Sequence, residues 1–253
     1  MNSIFISTPT VRSLYAEMIF NDAVLSTCTV FLLEYDNEIF LITNRHNVTG
    51  KDNNTNECLS NTCAIPNKIR VYHYANDTLD THLDHWITYD YELYNNEIPI
   101  WIEHPTLKNR ADVIAIKISR HENIKYYSYK LNFKSNIRLV PTDKVSVVGF
   151  PFGKKSNAFL PIYNSGTLAS EIELGYGGLP IFLIDMRSRP GQSGSPVIFF
   201  QNGGTVNLKD GSVSVRTGES LELLGIYSGR ISSESDIGMV WHKQIIYEII
   251  SSN

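Results

Sequence analysis

Short apolar runs separated by turn signals recur along the whole chain, the pattern of an all-β protein. In the first half they cover residues 24–35, 38–43, 68–74, 99–102 and 112–118. In the second they cover 137–139, 144–150, 162–169, 181–186, 196–200, 221–228 and 238–241. Asp36-Asn37 reads as the tight turn of a hairpin joining the first two runs. Val11, Leu14, Tyr15 and Met18 have helical spacing, but a first strand fits them nearly as well. Ile245, Ile246, Ile249 and Ile250 fall on one face and predict a terminal helix over 243–251. Residues 50–67, 75–96 and 201–219 are polar and read as long loops, while the Tyr/Lys-rich stretch 118–133 reads as a crossing between two halves.

The most informative stretch is Pro190-Gly191-Gln192-Ser193-Gly194-Ser195-Pro196, which runs straight into an apolar strand. A serine between two glycines suits a nucleophile on a tight turn, because glycine reaches backbone conformations that side chains forbid. Such a turn can aim the amides of Gly191 and Ser193 at one point beside the hydroxyl. A serine hydroxyl is a weak nucleophile at neutral pH and needs a base held in place by a third group. His46 ends the apolar run 40–43 and Asp112 opens another, 113–116, so the chain order is His46, Asp112, Ser193. His104 is the other histidine in range, and its Glu-His-Pro setting reads as a surface turn.

That order, in those strand contexts, resembles the chymotrypsin/trypsin family of serine peptidases. The resemblance looks closest to stand-alone bacterial trypsin-like peptidases and extends over most of the chain. It is carried by Thr43-Asn44-Arg45-His46, by Trp101-Ile102-Glu103-His104-Pro105 before Asp112, and by Val147-Val148-Gly149-Phe150-Pro151. Ser165-Gly166-Thr167-Leu168, Leu224-Gly225-Ile226-Tyr227-Ser228 and Gly238-Met239-Val240-Trp241 continue it. It implies two antiparallel β-barrels with a C-terminal helix: residues 1–125 bearing His46 and Asp112, and 126–253 bearing Ser193. It also implies an acyl-enzyme mechanism without metal or cofactor, with Ser228 supporting the aspartate. Ser195 departs from the family pattern, which has glycine there. No Ile-Val-Gly-Gly stretch occurs near the start, so activation by a trypsin-type new N-terminus is not expected.

The same resemblance places the pocket for the residue before the scissile bond at Arg187, Tyr227, Ser228 and Arg230. Two readings of it stay open: a small or medium apolar pocket, and one whose arginines pair with a substrate carboxylate. A basic preference is excluded, because arginine there repels Lys and Arg.

Composition narrows the classes that remain. The chain has 253 residues, 42% of them hydrophobic and 19% charged, with a net charge of −4 and no long basic run. That argues against nucleic acid as the main partner, and no apolar stretch is long enough to span a membrane. The partners expected are a protein or peptide substrate, with a regulatory protein docking on the long loops as a further possibility. The absence of a signal-like start and the three cysteines favour a cytoplasmic protein with free thiols, and the Asn-x-Ser/Thr sequons, Asn76-Asp77-Thr78 among them, then read as chance. Cys58, Cys63, His82 and His85 do not have the spacing of a zinc finger. They read as ordinary loop residues, with a local disulfide or a zinc site as the minor alternatives, and Cys28 reads as a core residue. A catalytically silent module of the same fold, or an esterase, are the rival functions.

Overall fold

The structure, a computed structural model, describes residues 5–76 and 85–252. The N-terminal half builds β1 (Ser13–Phe20), β2 (Ala23–Tyr35), β3 (Glu38–Thr43), the short helix α1 (Arg45–Thr49), β4 (Lys68–Ala75) and β5 (Trp86–Glu92). Short strands follow: β6 (Tyr94–Asn95), β7 (Ile98–Pro99), β8 (Ile102–Glu103), β9 (Ile114–Ile118) and β10 (Ile124–Lys125). The C-terminal half holds β11 (Lys144–Gly149), β12 (Ile162–Leu168), β13 (Ile181–Asp185), β14 (Pro196–Asn207), β15 (Val213–Arg230), β16 (Ile237–His242) and α2 (Lys243–Ser251).

The first lobe is an eight-stranded antiparallel sheet ordered β10-β4-β1-β2-β3-β9-β8, with β5 added on β4. The second is a closed barrel, β11-β12-β13-β16-β15-β14. The β2–β3 hairpin turns at Asp36 and Asn37, both in the left-handed region at φ 50° and 63°. That matches the mirror-image turn which suits the twist of a hairpin.

One apolar cluster lies inside the first sheet, around Leu41, Ile69, Val71 and Ile116. Another lies inside the barrel, around Val147, Phe182, Val197 and Val240. A third joins the lobes: Phe31, Phe40, Ile42 and Val113 meet Ile198, Ile226 and Trp241. The four isoleucines of α2 pack into this third cluster, as their spacing predicts. Burying such side chains is worth roughly 2–3 kcal/mol each, so α2 staples the two halves whose contact the site needs.

Several expectations change here. Leu14, Tyr15 and Met18 lie on a strand, β1, buried along nearly its whole length, while Val11 ends a single 3-10 turn, Thr8–Val11. The polar stretch 75–96 contains β5, and 201–219 is the end of a long β14–β15 hairpin rather than a loop. Residues 137–139 form only an isolated bridge, Ile137 to Leu208. Cys58 and Cys63 form a disulfide, correcting the reading of them as unpaired, while Cys28 is a free, buried thiol. His82 and the sequon residues Asp77 and Thr78 lie outside the described residues. No cluster of metal-binding side chains occurs among the described residues, and no described helix is long and apolar enough to cross a membrane.

Candidate active site

β3 runs out of the first sheet at Thr43, and the chain turns at once into α1, which presents His46 at the lobe junction. Asn44, the residue before the helix, is fully buried and donates its side-chain N–H to the Asp112 carbonyl at 2.7 Å. This ties the start of α1 to the segment entering β9. Asp112 is in turn surrounded by donors. Its Oδ1 accepts the His46 backbone N–H at 2.9 Å. Its Oδ2 lies 2.7 Å from His46 Nδ1 and accepts the Ser228 hydroxyl at 2.5 Å. The carboxylate therefore holds the ring with the proton on Nδ1, leaving the Nε2 lone pair available. The side chains of His46 and Asp112 are only 15% and 6% exposed, so this pair works in a poorly hydrated place.

Burial alone disfavours charge on the His46 ring, but the Asp112 charge and hydrogen bond outweigh it. Asp52 adds to the same side, and the net effect raises the imidazole above its ordinary pKa. Asp52 is itself kept ionised by the Thr55 and Asn54 backbone amides, which hold its carboxyl low against partial burial. Nothing in the sequence pattern singles out Asp52. It belongs to a polar loop and acts through space.

Ser193 comes from the barrel, on the turn between β13 and β14. Gly191 and Gly194 stand at φ 86° and 85°, a region that L side chains rarely adopt. Space is closed as well: a Cβ on Gly194 would lie 2.1 Å from the Thr29 carbonyl oxygen, and one on Gly191 would lie 2.6 Å from that of Phe150. The turn is fastened by its own side chain, since Gln192 Oε1 accepts the Arg189 N–H at 2.7 Å. It is fastened to its neighbours by Gly194 N–H donating to the Tyr227 carbonyl and Tyr227 N–H to that of Ser195. Ser228, the residue that reaches Asp112, follows directly on this strand.

The amides of Gly191 and Ser193 donate to no described residue. The orientation of the first is set from behind. The Pro190 carbonyl accepts the Phe152 N–H at 2.6 Å. A trans peptide is planar, so its C=O and N–H point opposite ways, and the Gly191 N–H faces away from Phe152. The Ser193 hydroxyl makes no hydrogen bond with a described side chain.

Thr29 on β2, fully buried, connects the lobes at this point. Its N–H donates to the Ser193 carbonyl at 3.1 Å, and its hydroxyl donates to that of Gly191 at 3.1 Å. The same hydroxyl accepts the Phe150 N–H, and the Thr29 carbonyl accepts the Thr43 hydroxyl. Residue type gave no hint of this role. Ser195 packs against Gly149, where a Cβ would lie 2.0 Å from its Oγ, so the extra atoms at 195 occupy space left free at 149.

His104 is not on a surface turn. It is buried, its Nδ1 accepts the Thr106 and Leu107 N–H groups, and its Nε2 donates to Glu248 of α2 at 2.7 Å. Both ring nitrogens are committed to structure. Arg187 and Arg230 are both exposed, and the Arg187 carbonyl accepts from Asn164.

A family model of the trypsin-like peptidase domain matches residues 27–206. The chain belongs to that family. Its fold is similar to the crystal structure of a serine endoprotease from Yersinia pestis, at 12% identity and a TM-score of 0.55, over 98% of this chain and 67% of that one. An inactive form of the Rv3671c protease from M. tuberculosis aligns at 15% identity and a TM-score of 0.48, over 97% and 89% of the two chains. No curated protein matches the chain significantly.

Proposed function

We propose that the protein is a serine endopeptidase with Ser193 as nucleophile, His46 as general base and Asp112 as the group that orients the base. Ser193 Oγ bonds to the scissile carbonyl carbon as its proton passes to His46 Nε2. The Gly191 and Ser193 amides stabilise the oxyanion, each such donor being worth about 3–4 kcal/mol. The C–N bond then breaks while His46 returns the proton to the leaving amine. Water, deprotonated by the same ring, releases the acid from Ser193. The observation that carries this reading is the chain of bonds Ser228–Asp112–His46 beside a glycine turn with two uncommitted amides.

The rival readings make different use of the same residues. A silent module has no need of a buried Asp112 whose side chain is held by three hydrogen bonds, and an esterase would turn over esters but not peptides. Labelling with a fluorophosphonate probe, using Ser193→Ala as control, tests the nucleophile. Peptide against ester turnover then tests the substrate class. An unlabelled wild-type protein would overturn the proposal.

A further inference from the structure

Lys155 follows the 150–153 turn and is half-buried, yet its ammonium makes no hydrogen bond or ion pair with a described residue. What surrounds it is aromatic. Its Nζ lies 3.5 Å from the centre of the Phe159 ring, 4.5 Å from that of Tyr15 and 5.7 Å from that of Tyr72. An ammonium over a ring face is attracted by the ring's quadrupole, the more so where water is excluded. Glu17 on β1 adds its charge through space, without an ion pair.

The cage is built from both lobes. Tyr15 on β1 and Tyr72 on β4 belong to neighbouring strands of the first sheet, with ring centres 5.2 Å apart. Phe159 comes from the same β11–β12 connection as Lys155 and stacks on Tyr72 at 5.0 Å. That connection is closed on itself, since the Ser156 N–H donates to the Leu160 carbonyl at 2.9 Å. Lys155 and Phe159 thus grip the first sheet together.

The grip lies directly behind the turn that orients Gly191. The Tyr15 ring also meets Phe150 edge-on at 5.4 Å. A Cβ on Gly153 would lie 3.0 Å from Thr27 Oγ1, so the turn rests on β2. Phe152 and Phe159 take left-handed φ values of 55° and 56°, which their side chains disfavour. Contacts rather than local preference must therefore hold this connection in shape. We propose that Lys155 is a positioning residue: caged between Tyr15, Tyr72 and Phe159, it moors the 150–153 turn to the first sheet and so keeps the Gly191 N–H aimed at the oxyanion. This inference rests on the peptidase reading of Ser193. The bonds that hold His46 and Asp112 run through Asn44 and Ser228 and involve none of the cage residues.

The test compares the wild type with Lys155→Met, Lys155→Arg and Phe159→Leu, after circular dichroism melts establish which variants fold. The substrate is the best fluorogenic peptide from a random library, and the inhibitor is the aldehyde of that peptide, whose hemiacetal oxygen takes the oxyanion's place. Lys155→Met should lower kcat by about 10- to 100-fold, with KM within about twofold of wild type. Aldehyde inhibition should weaken in parallel, while the pH midpoint of kcat/KM stays where it is. Lys155→Arg should restore most of the rate, because a guanidinium also stacks on aromatic faces. Phe159→Leu removes the nearest ring, keeps the lysine and should lower kcat in the same way, which preserves the test if Lys155→Met does not fold. Unchanged kcat in the folded variants overturns the inference and leaves the mechanism standing. So does a loss of rate accompanied by a shifted pH midpoint, which would place the damage at His46. A wild type that neither labels with fluorophosphonate nor cleaves removes the peptidase reading and this inference together.

Discussion

The backbone N–H of Thr29, on the first lobe, donates to the carbonyl of Ser193, on the second, at 3.1 Å. Through the same residue the hydroxyl of Thr43, three positions before His46, is bonded to the strand that touches the nucleophile turn. The proposed base and the proposed nucleophile are therefore registered against each other through Thr29. Misplacing such groups by about 1 Å can cost on the order of 100-fold in rate. Thr29→Val keeps the shape but strands the buried Phe150 N–H and frees the Gly191 carbonyl. The expected result is a loss of about 1–3 kcal/mol in stability, with kcat falling more than KM rises. Thr29→Ser should restore most of both. Urea denaturation and steady-state kinetics on the two variants check this; equal kcat in wild type and Thr29→Val would refute the positioning role.

Ser193→Ala should abolish fluorophosphonate labelling and peptide cleavage while leaving the melting temperature close to wild type, since removing one hydroxyl from a half-buried residue leaves no sizeable cavity. His46→Ala and Asp112→Asn should each remove most activity. Combined with Ser193→Ala they should add almost nothing further, because the three residues act as a unit. Near-wild-type cleavage by Ser193→Ala would show that the nucleophile lies elsewhere.

The His46 imidazole is pulled down by burial but raised overall by Asp112 and then Asp52, to a pKa above 6.5. Only the neutral ring can take the serine proton. Activity should therefore rise with pH to an alkaline plateau, with the midpoint of kcat/KM above 6.5. Asp52→Asn removes one of the two carboxylates and should move that midpoint down. For stability the sign is the reverse. A folded pKa raised above the unfolded one favours the folded state at low pH. That gain is complete below the unfolded value and disappears as pH rises through the folded one. A pH profile whose acid midpoint falls below 6.5 would contradict this electrostatic picture.

His73 works in the opposite sense. It is fully buried in the first sheet, with Tyr91 on its Nε2 at 3.0 Å. Burial first, and then the His121 charge, push its pKa down to about 3. Between the unfolded value near 6.5 and about 3 the unfolded chain binds a proton that the folded one refuses. Stability should fall with falling pH across that window, by up to about 1.4 kcal/mol per pH unit from this residue. His73→Phe combined with Tyr91→Phe, which leaves neither partner unpaired, should flatten the slope between pH 6 and pH 4. Denaturation curves at those two values decide the matter.

How far the sequence could be read differs from element to element. The bounds of β3 follow from an unbroken apolar run buried on both faces, and those of α2 from period-3.6 patterning that buries one stripe. His46 and Asp112 stood out at the ends of obvious apolar runs and Ser193 on its glycine turn, whereas Ser228 came only from the family resemblance. β1 was ambiguous because it is covered on both sides, which erases alternation. β5 and the outer part of the β14–β15 hairpin were hidden for the opposite reason. Their residues are largely exposed, so polar sequence and strand coexist. Thr29 and Asp52 were invisible because their roles depend on which distant backbone groups arrive beside them. The Cys58–Cys63 pairing could not be chosen over free thiols, since spacing alone permits both.

The bond from Phe152 to Pro190 makes one rigid peptide unit into a lever. Proline locks its own φ, and Phe152 holds its end of the lever from a left-handed conformation, φ 55°, that a phenylalanine seldom adopts. Anything that unseats the 150–153 turn would swing the Gly191 amide out of line while His46, Asp112 and Ser193 kept their places. Such an enzyme would have a complete triad and almost no rate. On the proposed mechanism, the turn around an exposed phenylalanine that is none of the three proposed catalytic residues would throttle the reaction.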